Sequence, residues 1–297
     1  MSSTTMTTAD GRPVLRIERH LAHPREKVWR AVTEPEHLSQ WYPLPVVEVE
    51  LRVGGKIRFD DGAGFTMDAL VTELDPPRLF AFSERAPDEM GRESEDLVRI
   101  ELRPEGTGTV LTFTHVFDDR YGAASYASGW NVCLDALEAV VDERPIQPDS
   151  PGPAAHDAFV EQFGLDEGTV SDTADGWMIR FERQLTRPAA EVWPLLTEGR
   201  SVGPGAPTPP RFTTEKVPAG AVTSVQEAEL LEYVWQSGTT DAGRVRWELS
   251  AGTGHGARLV LTQTGPNDLA PERTTALRAW RKHIARLAEE LRALPRS

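Results

Sequence analysis

The chain has 297 residues, 39% of them apolar and 26% charged, with a net charge of −14; that is enough for two ordinary domains, each with a core. No apolar run approaches the roughly 20 residues that span a bilayer, so membrane insertion is not expected. The single cysteine, Cys133, excludes an internal disulfide and any multi-cysteine metal or cluster site, and suits a reducing cytoplasm. Residues 1–149 carry 16 basic and 27 acidic side chains and the remainder 16 and 19, so the basic footprint that nucleic acid requires is absent.

In chain order, Met1–Asp10 is rich in Ser and Thr, and no apolar stretch follows a basic start, so it is not expected to be a secretory signal. Residues 14–21 alternate with the period of a strand. Pro24 opens a short helix with Val28 and Trp29 on one side, and Pro35 restarts a second one ending at Trp41 and Tyr42. Strands are expected at 46–53, 56–60, 65–74, 78–84, 97–103 and 109–116, separated by Gly- and Pro-containing turns. Asp88–Asp96, acidic and without apolar periodicity, reads as a solvated loop. A long helix follows at about 124–142, where Trp130, Cys133, Leu134, Leu137 and Val140 form one apolar stripe.

The chain then repeats itself. Residues 15–34 align with 179–198 without a gap, and nine of the 20 positions are identical, among them Glu18/Glu182, Arg19/Arg183, Pro24/Pro188 and Trp29/Trp193. Residues 98–102 match 245–249 and 110–114 match 260–264, while Trp130, Leu134 and Leu137 correspond to Trp280, Ile284 and Leu287. Four blocks in one order mark a duplication. The second copy departs from the first at 203–210, a Gly/Pro-rich stretch that cannot be regular helix. It also has about 11 residues from Gly220 to Leu231 against 19 from Gly55 to Leu74, which predicts the loss of part of a hairpin. The expected fold class is α+β, two tandem domains, each a curved antiparallel sheet wrapped on a long C-terminal helix.

The first copy carries a family resemblance. Ala22-His23-Pro24, Val28-Trp29, Glu36-His37-Leu38, Trp41, Gly54 through Phe59, Leu111 through His115, Gly129-Trp130 and Cys133 through Leu137 resemble the heat-shock-protein-90 ATPase activator homologues of the SRPBCC (START-like) superfamily. The resemblance implies helix-grip domains at 12–166 and 174–297, the second a degenerate copy, in a bacterial protein. Residues 154–166 are similar to a tail helix that often follows such domains, and are assigned to the first. The family name implies chaperone activation, although fold alone does not fix function.

Between sheet and helix this fold commonly leaves a cavity, the default ligand site. Arg19 shares strand parity with Leu15, Ile17 and Leu21, as Arg183 does with Ile179, Phe181 and Leu185. A buried arginine needs an anionic partner, either an internal carboxylate or the acidic group of a ligand. Trp41, Tyr42, Phe59, Phe65, Met67, Phe82, Phe113 and Trp130, with Leu134 and Leu137, either line an apolar pocket or make up plain core. His115 is either a ligand-facing hydrogen-bonding group or general base, or a satisfied buried histidine. Cys133 reads as an inert thiol on the helix stripe. The first domain is expected to hold the larger and more apolar cavity.

There is no GxSxG elbow, no Walker-type loop and no His/Asp/Glu cluster at metal-ligand spacing, so no metal, cofactor or catalytic residue is assigned. Gly252–Gly256 reads as a hairpin turn. Arg273, Arg278, Arg281, Lys282, Arg286 and Arg292 make the last helix basic, which reads as a solvated face. The favoured function is a non-enzymatic binder of a small hydrophobic or amphipathic ligand in the first domain. The alternatives are an aromatase/cyclase-like enzyme acting on a polyketide-type substrate, and a regulatory protein partner of a chaperone or transcription factor.

Overall fold

The computed structural model describes residues 3–84, 95–147, 152–254 and 256–295, and the chain divides into two compact units, Met1–Gly152 and Pro153–Ser297. The first unit opens on β1 (Ser3–Ala9) and β2 (Arg12–Leu21), then α1 (Arg25–Thr33) and α2 (Pro35–Trp41). It continues through β3 (Val46–Val49), β4 (Lys56–Asp60), β5 (Thr66–Asp75), β6 (Leu79–Glu84), β7 (Asp96–Glu105) and β8 (Gly108–Val116) to the long helix α3 (Ala123–Val141). The eight strands form one antiparallel sheet in the order β1-β2-β8-β7-β6-β5-β4-β3.

The strand at 14–21 alternates as its sequence requires, with Leu15, Ile17, Arg19 and Leu21 buried. The domain begins earlier than the expected boundary at 12, because β1 pairs with β2 across Asp10-Gly11. Both turn residues have positive φ, 50° and 81°, the backbone of the two-residue hairpin that Asp-Gly favours. Strand β3 ends at Val49 rather than at residue 53, because a turn takes up the following residues. In it Gly54, at φ 75°, gives its N–H to the Val71 carbonyl, and Gly55 gives its own to Arg52.

The second unit contains α4 (Pro153–Gln162), β9 (Thr169–Thr173), β10 (Gly176–Gln184), α5 (Ala189–Thr197), β11 (Ala219–Gln226), β12 (Leu230–Ser237), β13 (Thr240–Ala251), β14 (Ala257–Pro266) and α6 (Ala270–Ala293). Its sheet runs β11-β12-β13-β14-β10-β9, the order of the first without the β3–β4 hairpin. In place of α2 and that hairpin, residues 203–217 run irregularly to a 3-10 turn at Pro210–Phe212. That turn sets the Phe212 ring 5.7 Å from Trp193 and 5.5 Å from Trp247. Trp177, Tyr233, Trp235 and Trp280 add further rings to a core that is otherwise aliphatic.

The tail helix α4 belongs to the second unit, not to the first as its resemblance suggested. The reason is electrostatic. In the first unit α3 presents Asn131 and Asp135 to Arg19, at 2.6 and 3.3 Å. Aligned on Trp130 and Trp280, α6 has Arg281 and Ala285 at those positions, so it offers Arg183 no acceptor. Helix α4 supplies it instead: Asp157 Oδ1 lies 3.0 Å from the Arg183 guanidinium, and its other oxygen 3.1 Å from Arg292.

Candidate functional site

Between the sheet and α3 the first unit is filled with aromatic rings. Tyr42 follows α2 and stacks on Phe59 of β4 at 5.2 Å, with Phe82 of β6 at 6.0 Å and Trp130 of α3 at 5.4 Å. Phe113 of β8 meets Trp130 at 4.5 Å, and Trp41 meets Tyr42 at 5.7 Å. Trp41 gives its indole N–H to the Ala31 carbonyl, which fixes α2 against α1. Leu134 and Leu137 are buried beside Trp130 on the helix stripe. Met67 lies across from Phe59 in the β4–β5 register and is half-buried, as is Phe65 just before β5. So Trp41, Tyr42, Phe59, Phe82, Phe113 and Trp130 form one contiguous cluster, with Phe65 and Met67 at its margin.

One end of this cluster is polar. His115 shares the face of Phe113 and is 1% exposed. Trp130 Nε1 lies 3.1 Å from His115 Nδ1, and because an indole nitrogen only donates, Nδ1 accepts and the proton sits on Nε2. Nε2 then donates to Asp96 Oδ2 at 3.3 Å. Phe117 and Tyr126 wall the ring at 4.9 and 4.8 Å. Beside this pair, the Tyr42 hydroxyl donates to Glu84 Oε1. Glu84 and Asp96 face each other in the β6–β7 register, so the two acid–donor pairs are neighbours.

Burial first, then the charge and hydrogen bond of Glu84, hold the Tyr42 phenol well above its ordinary pKa. Tyr42 is therefore a fixed donor at any physiological pH. With both ring nitrogens engaged, His115 orients its neighbours rather than serving as a free base. Asp96 corrects the reading of 88–96 as solvated loop: at its last residue the side chain is 3% exposed and points inward, while 85–94 lie outside the described residues. Glu84, Asp96 and Tyr126 were not singled out from sequence. Parity carried the signal for the two acids, since Glu84 follows Phe80 and Phe82 at intervals of two, and Asp96 precedes Val98 and Ile100 likewise.

Arg19 points inward and is paired, with its side chain 7% exposed against 69% for Asp135. Its second partner, Asn131, is tied to the Ala127 carbonyl. Cys133 is half-buried on α3, and burial pushes its thiol up to about 12. At pH 8 it is expected to react with a disulfide reagent roughly a thousandfold more slowly than an unshifted thiol. Comparing the rate in buffer with the rate in denaturant checks this, and equal rates would contradict it. In the second unit Phe113 is replaced by Gln263, whose Oε1 accepts the Trp280 N–H at 2.6 Å, so the duplicated tryptophan keeps a partner without a histidine.

Among the described residues no group of His, Cys, Asp and Glu could hold a metal ion, and no helix is long and apolar enough to cross a membrane. Residues 22–142 match the family model "Activator of Hsp90 ATPase homolog 1-like protein", so the first unit contains a domain of that type. No curated protein matches the chain. Among solved structures, CalU16 from Micromonospora echinospora is similar at 20% identity, over 55% of this chain and 99% of that one, with a TM-score of 0.45. MLL2253 from Mesorhizobium loti is similar at 24% identity over 44% and 98%, with a TM-score of 0.40. DynU16, described as a putative protein in the dynemicin biosynthetic locus, is similar at 19% identity over 94% and 98%, with a TM-score of 0.42. Identities this low say nothing of ligand or activity.

Proposed function

We propose that this chain, whose first unit contains an Hsp90-ATPase-activator-homologue domain, is a non-enzymatic binder of a small amphipathic molecule held between the sheet and α3. What supports the reading is the placement of the two acid–donor pairs, Tyr42–Glu84 and His115–Asp96, at one end of an aromatic interior. Binding sites combine apolar walls with a few convergent polar groups, and here four hydrogen-bonding groups converge beside the aromatic rings. The polar end receives the ligand's hydrogen-bonding group, and Phe59, Phe82 and Phe113 receive its apolar body.

Native mass spectrometry of the full chain from its own host tests this. The wild type is expected to carry a small molecule that Tyr42→Phe holds about tenfold less well, since that change removes the hydroxyl oxygen that accepts from the ligand while its proton is held by Glu84, and keeps the ring. Absence of any bound molecule, or equal retention by the variant, would sink the reading. An aromatase/cyclase-like enzyme is the second reading, favoured by the permanently protonated Tyr42 hydroxyl, whose proton, held by Glu84 here, would turn from Glu84 to a substrate carbonyl. Turnover of a cyclisable polyketone by the wild type and not by Tyr42→Phe would select it.

A further inference from the structure

The basic residues of α6 are solvent-facing as expected, but they differ in their partners. Arg273 pairs with Asp172, Arg281 with Asp166 and Arg292 with Asp157. Lys282 and Arg286 do not join this set. They line a cleft of about 710 Å³ between α6 and the segment leading into β11, together with Lys216, Glu215, Thr213 and the apolar Pro210, Pro218, Ala219 and Ala279. Of the chain's four lysines, Lys27 and Lys56 are ion-paired with Glu143 and Asp68. The other two face this cleft, and neither they nor Arg286 are in an ion pair among the described residues.

Arg286 is held in place by a neutral group. Its guanidinium donates to His283 Nδ1 at 3.0 Å, and His283 donates from Nε2 to the Arg211 carbonyl at 2.8 Å. His283 itself packs against Trp280 and Trp247, at 5.8 and 6.0 Å. The arginine is thus anchored to the tryptophan core with its charge left uncompensated. Burial, then the nearby arginine charges, keep the histidine pKa low against the opposing pull of the Arg211 carbonyl and Glu290. The neighbouring cation, Arg211, is spent on Glu290. Three cations against Glu215 alone, in a chain of net charge −14, reverse the local sign of the surface.

We propose that this cleft of the second unit binds a small organic anion, with Arg286, Lys282 and Lys216 taking its carboxylate or phosphate group and the proline–alanine walls its apolar body. Arg286 supplies the planar fork that matches such groups, and the two lysines supply point charges. The volume falls in the range of small-molecule sites. Nothing in this inference depends on the ligand of the first unit.

The test uses the full chain and 8-anilinonaphthalene-1-sulfonate, an aromatic body with one anionic group. Its affinity is expected to fall at least tenfold in Lys282→Gln/Arg286→Gln and severalfold in Lys216→Gln, and to weaken with added salt. Arg278→Gln, an exposed cation on α6 outside the cleft, is expected to change nothing. Circular dichroism checks that each variant is folded, and Lys216→Gln, which breaks no contact of the core, keeps the test decisive if the double variant is not. Displacement of the probe by inorganic phosphate marks a phosphate site, and by decanoate alone a carboxylate site. Equal binding by wild type and Lys216→Gln, or an equal loss in Arg278→Gln, overturns the proposal.

Discussion

Trp130→Ala is expected to cost the first unit about 5 kcal/mol, most or all of the stability of an ordinary domain. The ring is in contact with Phe113, Tyr42 and His115, and removing a buried tryptophan costs about 3–5 kcal/mol in lost burial and cavity. The substitution also takes the donor from His115 Nδ1, leaving a buried acceptor unpaired at a further cost of about 1–2 kcal/mol. Trp130→Phe weights the two effects differently, because it keeps a six-membered ring in place while losing the N–H and the rest of the indole; it should cost about 2 kcal/mol. Urea unfolding followed by fluorescence measures both, with the tryptophans of the second unit reporting a transition left in place. A loss below about 2 kcal/mol in Trp130→Ala would mean that the ring faces hollow space rather than packed neighbours. That result would favour an open cavity at this position over the contacts described.

The duplication, the sheet-and-helix architecture and the inward parity of Arg19 and Arg183 were legible because each is written in short-range periodicity. A strand shows one face in every second residue, and β2, β7 and β8 followed that rule. The rest lies where local pattern is weak. Strand β1 is Ser/Thr-rich and mostly exposed, so hydrophobic alternation does not reveal it. Its turn does: Thr-Ala-Asp-Gly stands at 8–11 and again at 173–176, each time just before a strand. The candidate site was half legible. Its aromatic members announce themselves by type, but Glu84 and Asp96 are acids beside an acidic loop, and only counting by twos from Phe82 and Val98 turns them inward. The partner of Arg183 was not legible at all. It lies on a helix that sequence similarity attached to the other domain, and no local rule says which of two neighbours a short helix serves.

The two equivalent arginines are expected to respond differently to the same substitution. Arg183→Met should cost the second unit about 3 kcal/mol, because Asp157, 11% exposed at its side chain, is left with less compensation in a buried site. It keeps Arg292 and a contact of 3.5 Å from His156, which holds the loss to the lower end of the range for a broken buried pair. Arg19→Met should cost only about 1 kcal/mol, because Asp135 is 69% exposed and water takes over its charge. The pH dependence carries the same distinction. Burial pushes the Asp157 carboxyl up, but the His156 contact and the Arg183 charge outweigh it, so the folded pKa lies below the unfolded one. A depressed carboxylate contributes stability above its unfolded pKa and loses it as pH falls through the folded value. The second unit should therefore weaken on acidification below about pH 4, and Arg183→Met should make that dependence shallower. Thermal unfolding of both variants between pH 3 and pH 7 decides the matter. Equal losses at neutral pH, or an unchanged acid slope in Arg183→Met, would mean that the exposure of the partner carboxylate does not set the worth of these pairs.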